Sequence, residues 1–405
     1  MRNGFMINTV KITVTMSLLF NNVVASEFEP SVTTGLPLVL QQSLYVNQKC
    51  DLNNVDKIEK KYTSNLLLQS NPISNSSIIY QSFYRYLPKT NKQDEMWQGE
   101  VLALFVDGLG RIREDSDSDL KLSDEDDIID YLSVDSVQYF QRTHIQGNQL
   151  VKDNQYYDLN QLKPLWRATD WLNSQDLNFK AQREYANTDL KRFLFTSIDS
   201  KLIAFTPSST FLKYESKFNL RDNSLNNNDL GATDLINYIR GEELTNTKKR
   251  TTTKQARVTR LGDIVNSSLV IVGQPDSVED LEADGSYQLF LNKYNNRRNV
   301  VYVGANDGVL HAFNAGFTKK TLSEVTTKSD QLSQYALGSE LWGFIPDSVL
   351  PKLKHLTDKE RHDYFVDGDI QSFDVKIFSD DDVHPNGWGT ILVFGLGPKS
   401  NVSDL

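Results

Sequence analysis

A chain of 405 residues with 39% hydrophobic, 24% charged and 10% aromatic residues suits two or three domains or one large β architecture. Fifty-three acidic residues against forty-three basic ones leave a net charge of −10, which argues against nucleic acid as a partner because phosphate binding needs a basic face. A mean hydropathy of −0.45, with no apolar run approaching about 20 residues, excludes a multispanning membrane protein. Cys50 is the only cysteine, so an intrachain disulfide, a CxxC zinc site and an iron–sulfur cluster are excluded within one chain.

Residues 1–26 read as a secretory signal peptide. Arg2 and Lys11 supply positive charge, Ile12 to Phe20 a short apolar stretch, and Val23, Val24 and Ala25 a small-residue exit before Ser26. An apolar N-terminal strand is the other reading of the same residues. Residues 27–95, rich in Asn, Ser, Gln and Lys, form a lead-in region with a few strands. From Trp97 the pattern sharpens: Glu100 to Ile112 predicts a strand, a turn marked by Gly108 and Gly110, and a returning strand. An acidic stretch from Glu114 to Asp130 follows.

Apolar residues at helical spacing predict a helix over Lys163 to Asn173, with Pro164 in its first turn. Lys191 to Thr206 reads as a hairpin turning at Asp199 and Ser200, and residues 219–231 as an Asn-rich loop. Ala232 to Arg240 is a short amphipathic helix closed by Gly241. Lys248 to Arg260 carries six basic residues and no acidic one, which reads as a solvated loop, with a site for an anionic partner as the alternative. Beyond it, Asn299 to Ala315 is a β-hairpin turning at Asn306, Asp307 and Gly308, where a two- or three-residue connection of type I′ is expected. Glu340 to Ile345 is a strand stopped by Pro346, and Ser348 to Leu356 a helical insert. Tyr364 to Val366, Phe373 to Phe378 and Trp388 to Gly395 complete the strands. Hairpins with Gly- and Asp-marked turns, separated by long insertions, fit a mainly β fold of irregular propeller type with short helical insertions.

The acidic stretch holds the strongest candidate site. Asp115, Asp117 and Asp119 alternate, Lys121 offers a backbone carbonyl, Ser123 follows, and Asp126 lies eleven residues after Asp115. Calcium takes six to eight oxygens, and loop positions 1, 3, 5, 7, 9 and 12 can wrap it. Leu122 supplies the apolar anchor, whereas Leu120 stands where such a loop wants glycine, and Asp126 is shorter than the usual Glu. A solvated acidic loop is the competing reading. The histidines at 144, 311, 355, 362 and 384 lack metal-ligand spacing, and no GxSxG, P-loop or HExxH occurs. His311 reads as a core histidine, His362 as a structural hydrogen-bonding group, and Asp307 and Asp367 as residues satisfying turn amides.

Val301 to Ala315 followed by Glu340 to Pro346 looks like a quinoprotein-type propeller blade. Leu235 to Gly241, Arg260 to Gly273, His362 to Gly368, Asp374 with Val375, and Trp388 to Gly397 resemble, in order, the propeller of the PilC/PilY type IV pilus proteins, with Trp97 to Val101 as its entry strand. The resemblance spans roughly residues 80–400 and divides the chain into signal peptide 1–26, lead-in 27–95, propeller region 96–397 and polar tail 398–405. It implies a non-enzymatic exported protein of the periplasm, outer membrane, pilus tip or cell surface. Such a protein supports pilus assembly and attachment, with pilin, the assembly machinery and a host-cell receptor as partners. The family's own calcium loop is expected downstream of this chain, so it does not carry over to Asp115–Asp126. At about 40–45 residues per blade the region cannot supply eight blades, so an incomplete propeller is expected, from a truncated or frame-interrupted, even non-functional, family member. A pyrroloquinoline-quinone oxidoreductase relative is the alternative of another class. It is disfavoured because one cysteine cannot form that group's adjacent-cysteine disulfide, and no such cofactor is expected.

Overall fold

The computed structural model describes residues 37–38, 60–70, 77–87, 96–134, 137–147, 149–174, 176–184, 187, 189–220, 230–243, 259–275, 285–318, 325–326, 335–358 and 361–397. The expected signal peptide, the polar tail and nearly all of the basic run lie outside the described residues, as does most of the Asn-rich loop. Among the described residues the chain is mainly β, with two large sheets.

The first sheet is an antiparallel meander. Lys60–Ser70, Ser77–Leu87 and Met96–Val106 pair in sequence, followed by Ile112–Arg113, Ile128–Val134, Val137–Gln146 and Gln149–Lys152. The pairing runs from residue 60, past a register shift between Thr63 and Asn65, into Met96–Val106, so the lead-in shares a sheet with the first strands of the propeller region. The apolar run in Met96–Val106 reflects burial of both its faces. Because side chains alternate along a strand, Val101, Ala103 and Phe105 enter one core and Leu102, Leu104 and Val106 another. The first of these cores also takes Val301, Val303 and Phe313 from the second sheet, which joins the two sheets. Each fully buried side chain of this size contributes about 1.5–3 kcal/mol.

The second sheet has the order 201–204, 194–198, 340–345, 310–314, 300–304, 270–272. Its last four strands, taken along the chain as Val270–Val272, Val300–Gly304, Leu310–Asn314 and Glu340–Ile345, form an antiparallel meander. The hairpin Leu194–Ile198/Lys201–Ala204 then joins Glu340–Ile345 in parallel. Asp199 and Ser200 both adopt positive φ (50° and 62°), the type I′ geometry that suits a two-residue hairpin. A further hairpin, Ile370–Lys376 with Trp388–Phe394, stands beside this sheet. Among the described residues the sheets do not close into a ring of blades, so the mainly β expectation is met without a closed propeller.

A buried chain of ionic contacts ties the second sheet together. The Arg192 guanidinium grips Glu340 through two bonds, Nε to Oε2 at 2.8 Å and Nη2 to Oε1 at 2.6 Å. Glu340 Oε1 lies 2.9 Å from His311 Nδ1, and His311 Nε2 lies 3.2 Å from Asp307 Oδ2. Arg192 Nη1 also donates to the Arg240 carbonyl at 3.0 Å, closing the last turn of the helix Ala232–Arg240. With a carboxylate at each ring nitrogen, both nitrogens donate and the ring is an imidazolium. Burial by itself lowers His311, yet Asp307 and Glu340 outweigh it and raise the ring to about 9. Burial raises Glu340, but Arg192 and His311 hold it well below the usual carboxylate range.

Three expectations change. The helix over Lys163–Asn173 shrinks to Ala168–Leu172, because Trp166 and Arg167 pair with Ala103 and Leu102 of the central strand and hold the segment extended. Pro164 therefore precedes the helix by several residues. Tyr364–Val366 is no strand: the Phe365 N–H goes to the Asn306 side chain and its carbonyl to Gly397 N, leaving no ladder partner. The Asn306–Gly308 turn is not type I′, since only Gly308 has positive φ (88°), which marks a three-residue connection ending in a glycine bulge. Glycine is required there twice over, because a Cβ would lie 2.6 Å from Leu353 Cδ2. The Asp199–Ser200 hairpin, the helix ending at Gly241 and the strand ending before Pro346 form as expected.

A raised folded-state pKa stabilises the fold fully below the unfolded value of 6.5 and loses that contribution as pH rises through about 9. Urea midpoints should therefore decline across that window. Glu340→Gln should cost about 3–5 kcal/mol, because it strands the buried Arg192 charge. Midpoints that stay flat from neutral to alkaline pH would contradict the imidazolium.

Candidate metal centre

The acidic loop lies between the short strand Ile112–Arg113 and Ile128–Val134, hung from the end of the central strand. Arg113 positions it. This buried guanidinium donates to the Ser123 carbonyl at 2.7 Å, to the Asp126 carbonyl at 2.5 Å and to Asp107 Oδ2 at 3.2 Å. From outside the loop, the Lys163 carbonyl takes the Asp115 N–H at 2.8 Å, and Lys163 Nζ donates to the Ser116 carbonyl at 2.8 Å. The neighbouring buried Glu114 is held by Arg142, which also lies over the Tyr157 ring at 4.3 Å.

Of the six residues read as ligands, the fold brings three together. Asp115, Asp117 and Asp126 each offer a carboxylate oxygen, all within 4.8 Å of one another. Asp119 stays outside that group: its side chain is 42% exposed, accepts the Lys121 N–H at 2.8 Å and faces Lys121 Nζ at 4.0 Å. Ser123 Oγ accepts the Glu125 N–H at 3.0 Å. Lys121 contributes no side-chain oxygen, and its backbone comes directly after the turn at Leu120. Ser118 and Leu120 both have φ of 63°. Leu120 thus adopts the left-handed conformation for which such loops use glycine at position six. Its side chain and that of Leu122 pack on the main core, which offsets the backbone cost.

The electrostatics are those of crowded anions. Burial pushes Asp115 up to about 6, and the Asp126 and Asp117 charges add to this, against the N–H groups of Leu120 and Asp119. Asp126 is raised as well, first by burial and then by Asp117, although the Ser123 and Ser116 N–H groups favour its charged form. Three convergent carboxylates on an ordered turn form a donor set suited to a hard divalent cation.

The other residues singled out from sequence have structural partners. His362 Nε2 sits 3.0 Å from Asp263 and its ring lies 4.4 Å from Trp97, in a cleft of about 80 Å³. Asp307 accepts the N–H groups of Val309 and Gly262, and Asp367 takes the Asn266 N–H across the fold rather than its own turn amides. Arg113 was not legible as a loop anchor. Its signal, a basic residue alternating with Arg111 just before an acidic run, is common on exposed strands.

An antiparallel meander of four strands is the construction of a β-propeller blade. Residues 261–399, which include the whole of that meander and the hairpin after it, match the model of the PilY1 beta-propeller domain. A type IV pilus biogenesis factor PilY1 homolog of Xylella fastidiosa is 30% identical over 213 residues, covering 50% of this chain and 14% of that protein. The type IV pilus biogenesis factor PilY1 of Pseudomonas aeruginosa strain PAK is 30% identical over 176 residues, covering 42% of this chain and 12% of that protein. The matches thus span about a seventh or less of these relatives' length, and the resemblance read from the sequence blocks is met. No solved structure matches the chain.

Arg113→Met keeps the apolar stem while removing every bond to the loop. It should destabilise the protein by about 2–3 kcal/mol, read from urea unfolding, because two carbonyls and Asp107 lose their buried donor.

Proposed function

We propose that this chain serves type IV pilus biogenesis as an exported, non-enzymatic factor. In this reading it supports pilus assembly and surface attachment from the periplasm, outer membrane, pilus tip or cell surface. One observation carries the proposal: residues 261–399 match the PilY1 beta-propeller domain, and the relatives that match part of this chain are type IV pilus biogenesis factors by name. The blade-like meander and its buried ionic chain fit a rigid scaffold that presents loops. Pilin, the assembly machinery and a host-cell receptor are the partners this role calls for. In a strain that makes the protein, deleting its gene should lower the number of surface pili and the attachment of cells, and the full-length gene should restore both. Unchanged pilus counts in the deletion strain would remove the proposal.

In the same reading the Asp115–Asp126 loop holds calcium, through Asp115, Asp117 and Asp126 with Asp119, Lys121 and Ser123 able to complete the shell. A divalent cation relieves the repulsion among the three convergent carboxylates. The affinity expected is about 10⁻⁴–10⁻³ M, that of extracellular modules, because Asp119 must swing inward to contribute. Calorimetric titration of the full chain should show this binding, and Asp117→Ala should weaken it strongly. Equal heats from the two proteins would mean that the loop is merely solvated.

A further inference from the structure

The cleft beside Trp97, of about 80 Å³, is unused by the acidic loop, and the buried ionic chain reaches it only through Asp307. It opens where the start of the strand Met96–Val106, the helix Ala232–Arg240, the Asn306–Gly308 turn and the end of the helical segment Asp347–Thr357 come together. Trp97 and Leu356, both partly exposed, give it apolar surface, and Asp263, Asn306 and Asp363 give it polar surface.

The charged groups of the cleft are satisfied within its own walls. His362 Nε2 donates to Asp263 at 3.0 Å, and Asn306 Nδ2 donates to the same carboxylate at 2.8 Å. Asp363 takes His355 Nδ1 at 2.5 Å and Arg361 Nε at 2.9 Å. Arg260 Nη1 donates to the Leu172 carbonyl at 2.7 Å, with its guanidinium over the Phe179 ring. The carboxylates of Asp263, Asp307 and Asp363 are matched in number by Arg260, Arg361 and the His311 imidazolium behind Asp307. A cleft so balanced offers an ion no net counter-charge, which favours a neutral ligand.

What the walls do offer is acceptors. An ionised carboxylate has about four lone-pair sites. Among the described residues, Asp263 Oδ1 accepts one bond, from His362, and Asp363 Oδ1 accepts one, from Arg361. Burial raises Asp363, yet His355 and Arg361 hold it at about 2, so it stays an acceptor at neutral pH. A ligand that answers this lining brings several O–H donors and a small apolar face. The Trp97 ring already has Tyr86 at 4.6 Å and His362 at 4.4 Å against it, which leaves no parallel slot for a flat nucleobase.

We propose that this cleft binds one monosaccharide unit, with hydroxyls donating to Asp263 and Asp363 and the C–H face of the sugar on Trp97 and Leu356. The volume fits that size. About 10–15 Å³ of such space holds one water, so the cleft takes the bulk of roughly five to eight waters, that of a pyranose of about twelve non-hydrogen atoms. Apolar walls with a few placed polar groups are the usual construction of small-ligand sites. That the site serves attachment rests on the reading above; that it binds a sugar rests on the cleft alone.

Calorimetric titration of the full-length chain with the methyl glycosides of glucose, galactose, mannose and N-acetylglucosamine tests this, with adenosine, acetate and methylammonium for comparison. At least one glycoside should bind with a Kd of about a millimolar, and the three comparison compounds about tenfold more weakly or not at all. Thr259→Trp fills the cleft from a partly exposed position and should abolish the heat. Asp263→Asn removes a charged acceptor and should weaken binding about tenfold, since hydrogen bonds to charged groups are the stronger ones. Both variants are first shown to be folded by circular dichroism. Absence of binding by all four glycosides overturns the proposal. Unchanged binding in folded Thr259→Trp overturns it too, as does adenosine binding as tightly as the best sugar.

Discussion

Much of this fold depends on one chain of buried charges, Asp307–His311–Glu340–Arg192. Each carboxylate in it touches a cation and each cation touches a carboxylate. Its members come from the glycine-bulge turn, two neighbouring strands of the second sheet and the segment leading into the parallel hairpin, and Arg192 reaches on to a helix end. Ion pairs inside a protein give little net stability relative to apolar substitutes, but removing one partner leaves a buried charge without compensation. The chain therefore acts less as glue than as a condition on register. If the Glu340 strand slipped by one residue, its carboxylate would move to the opposite face, leaving Arg192 without its carboxylate and His311 with Asp307 alone.

The acidic loop shows the opposite arrangement. There like charges converge, and burial together with neighbouring carboxylates raises the pKa of Asp115 and Asp126. The buried chain is complete within the protein, whereas the loop is left with an electrostatic deficit that its own backbone amides meet only in part. Arg113 sits between the two regimes. It holds the loop by its carbonyls rather than by its carboxylates, so it fixes the shape without neutralising the charge.

The legible parts of the fold are those set by local backbone chemistry. Asp199 and Ser200 tolerate positive φ, Gly241 ends a helix with the same freedom, and Pro346 cannot continue a ladder. The parts that were not legible are decided at long range. Trp166 and Arg167 carry a helical spacing but are drawn into a sheet by Ala103 and Leu102, and Tyr364–Val366 loses its strand because Asn306 and Gly397 take its backbone groups. For the acidic loop, spacing alone identified Asp115, Asp117 and Asp126 but could not tell that Asp119 turns outward to Lys121. His311 was legible as a core histidine, and Glu340 beside Leu341 and Trp342 was the available signal of its partner. Arg192, far away along the chain, gave none.

That distance has a consequence in time. Arg192 and Glu340 are 148 residues apart, and the parallel pairing of Leu194–Ile198, just after Arg192, with the Glu340 strand cannot begin until both have been made. At ribosomal rates of about 5–20 residues per second, Arg192 waits roughly 7–30 s for its carboxylate. Its burial must come late, after a long loop has closed against chain entropy, and contacts of such separation slow folding. The first sheet, built from neighbouring strands, is free to form in that interval and to offer the surface on which the second one assembles.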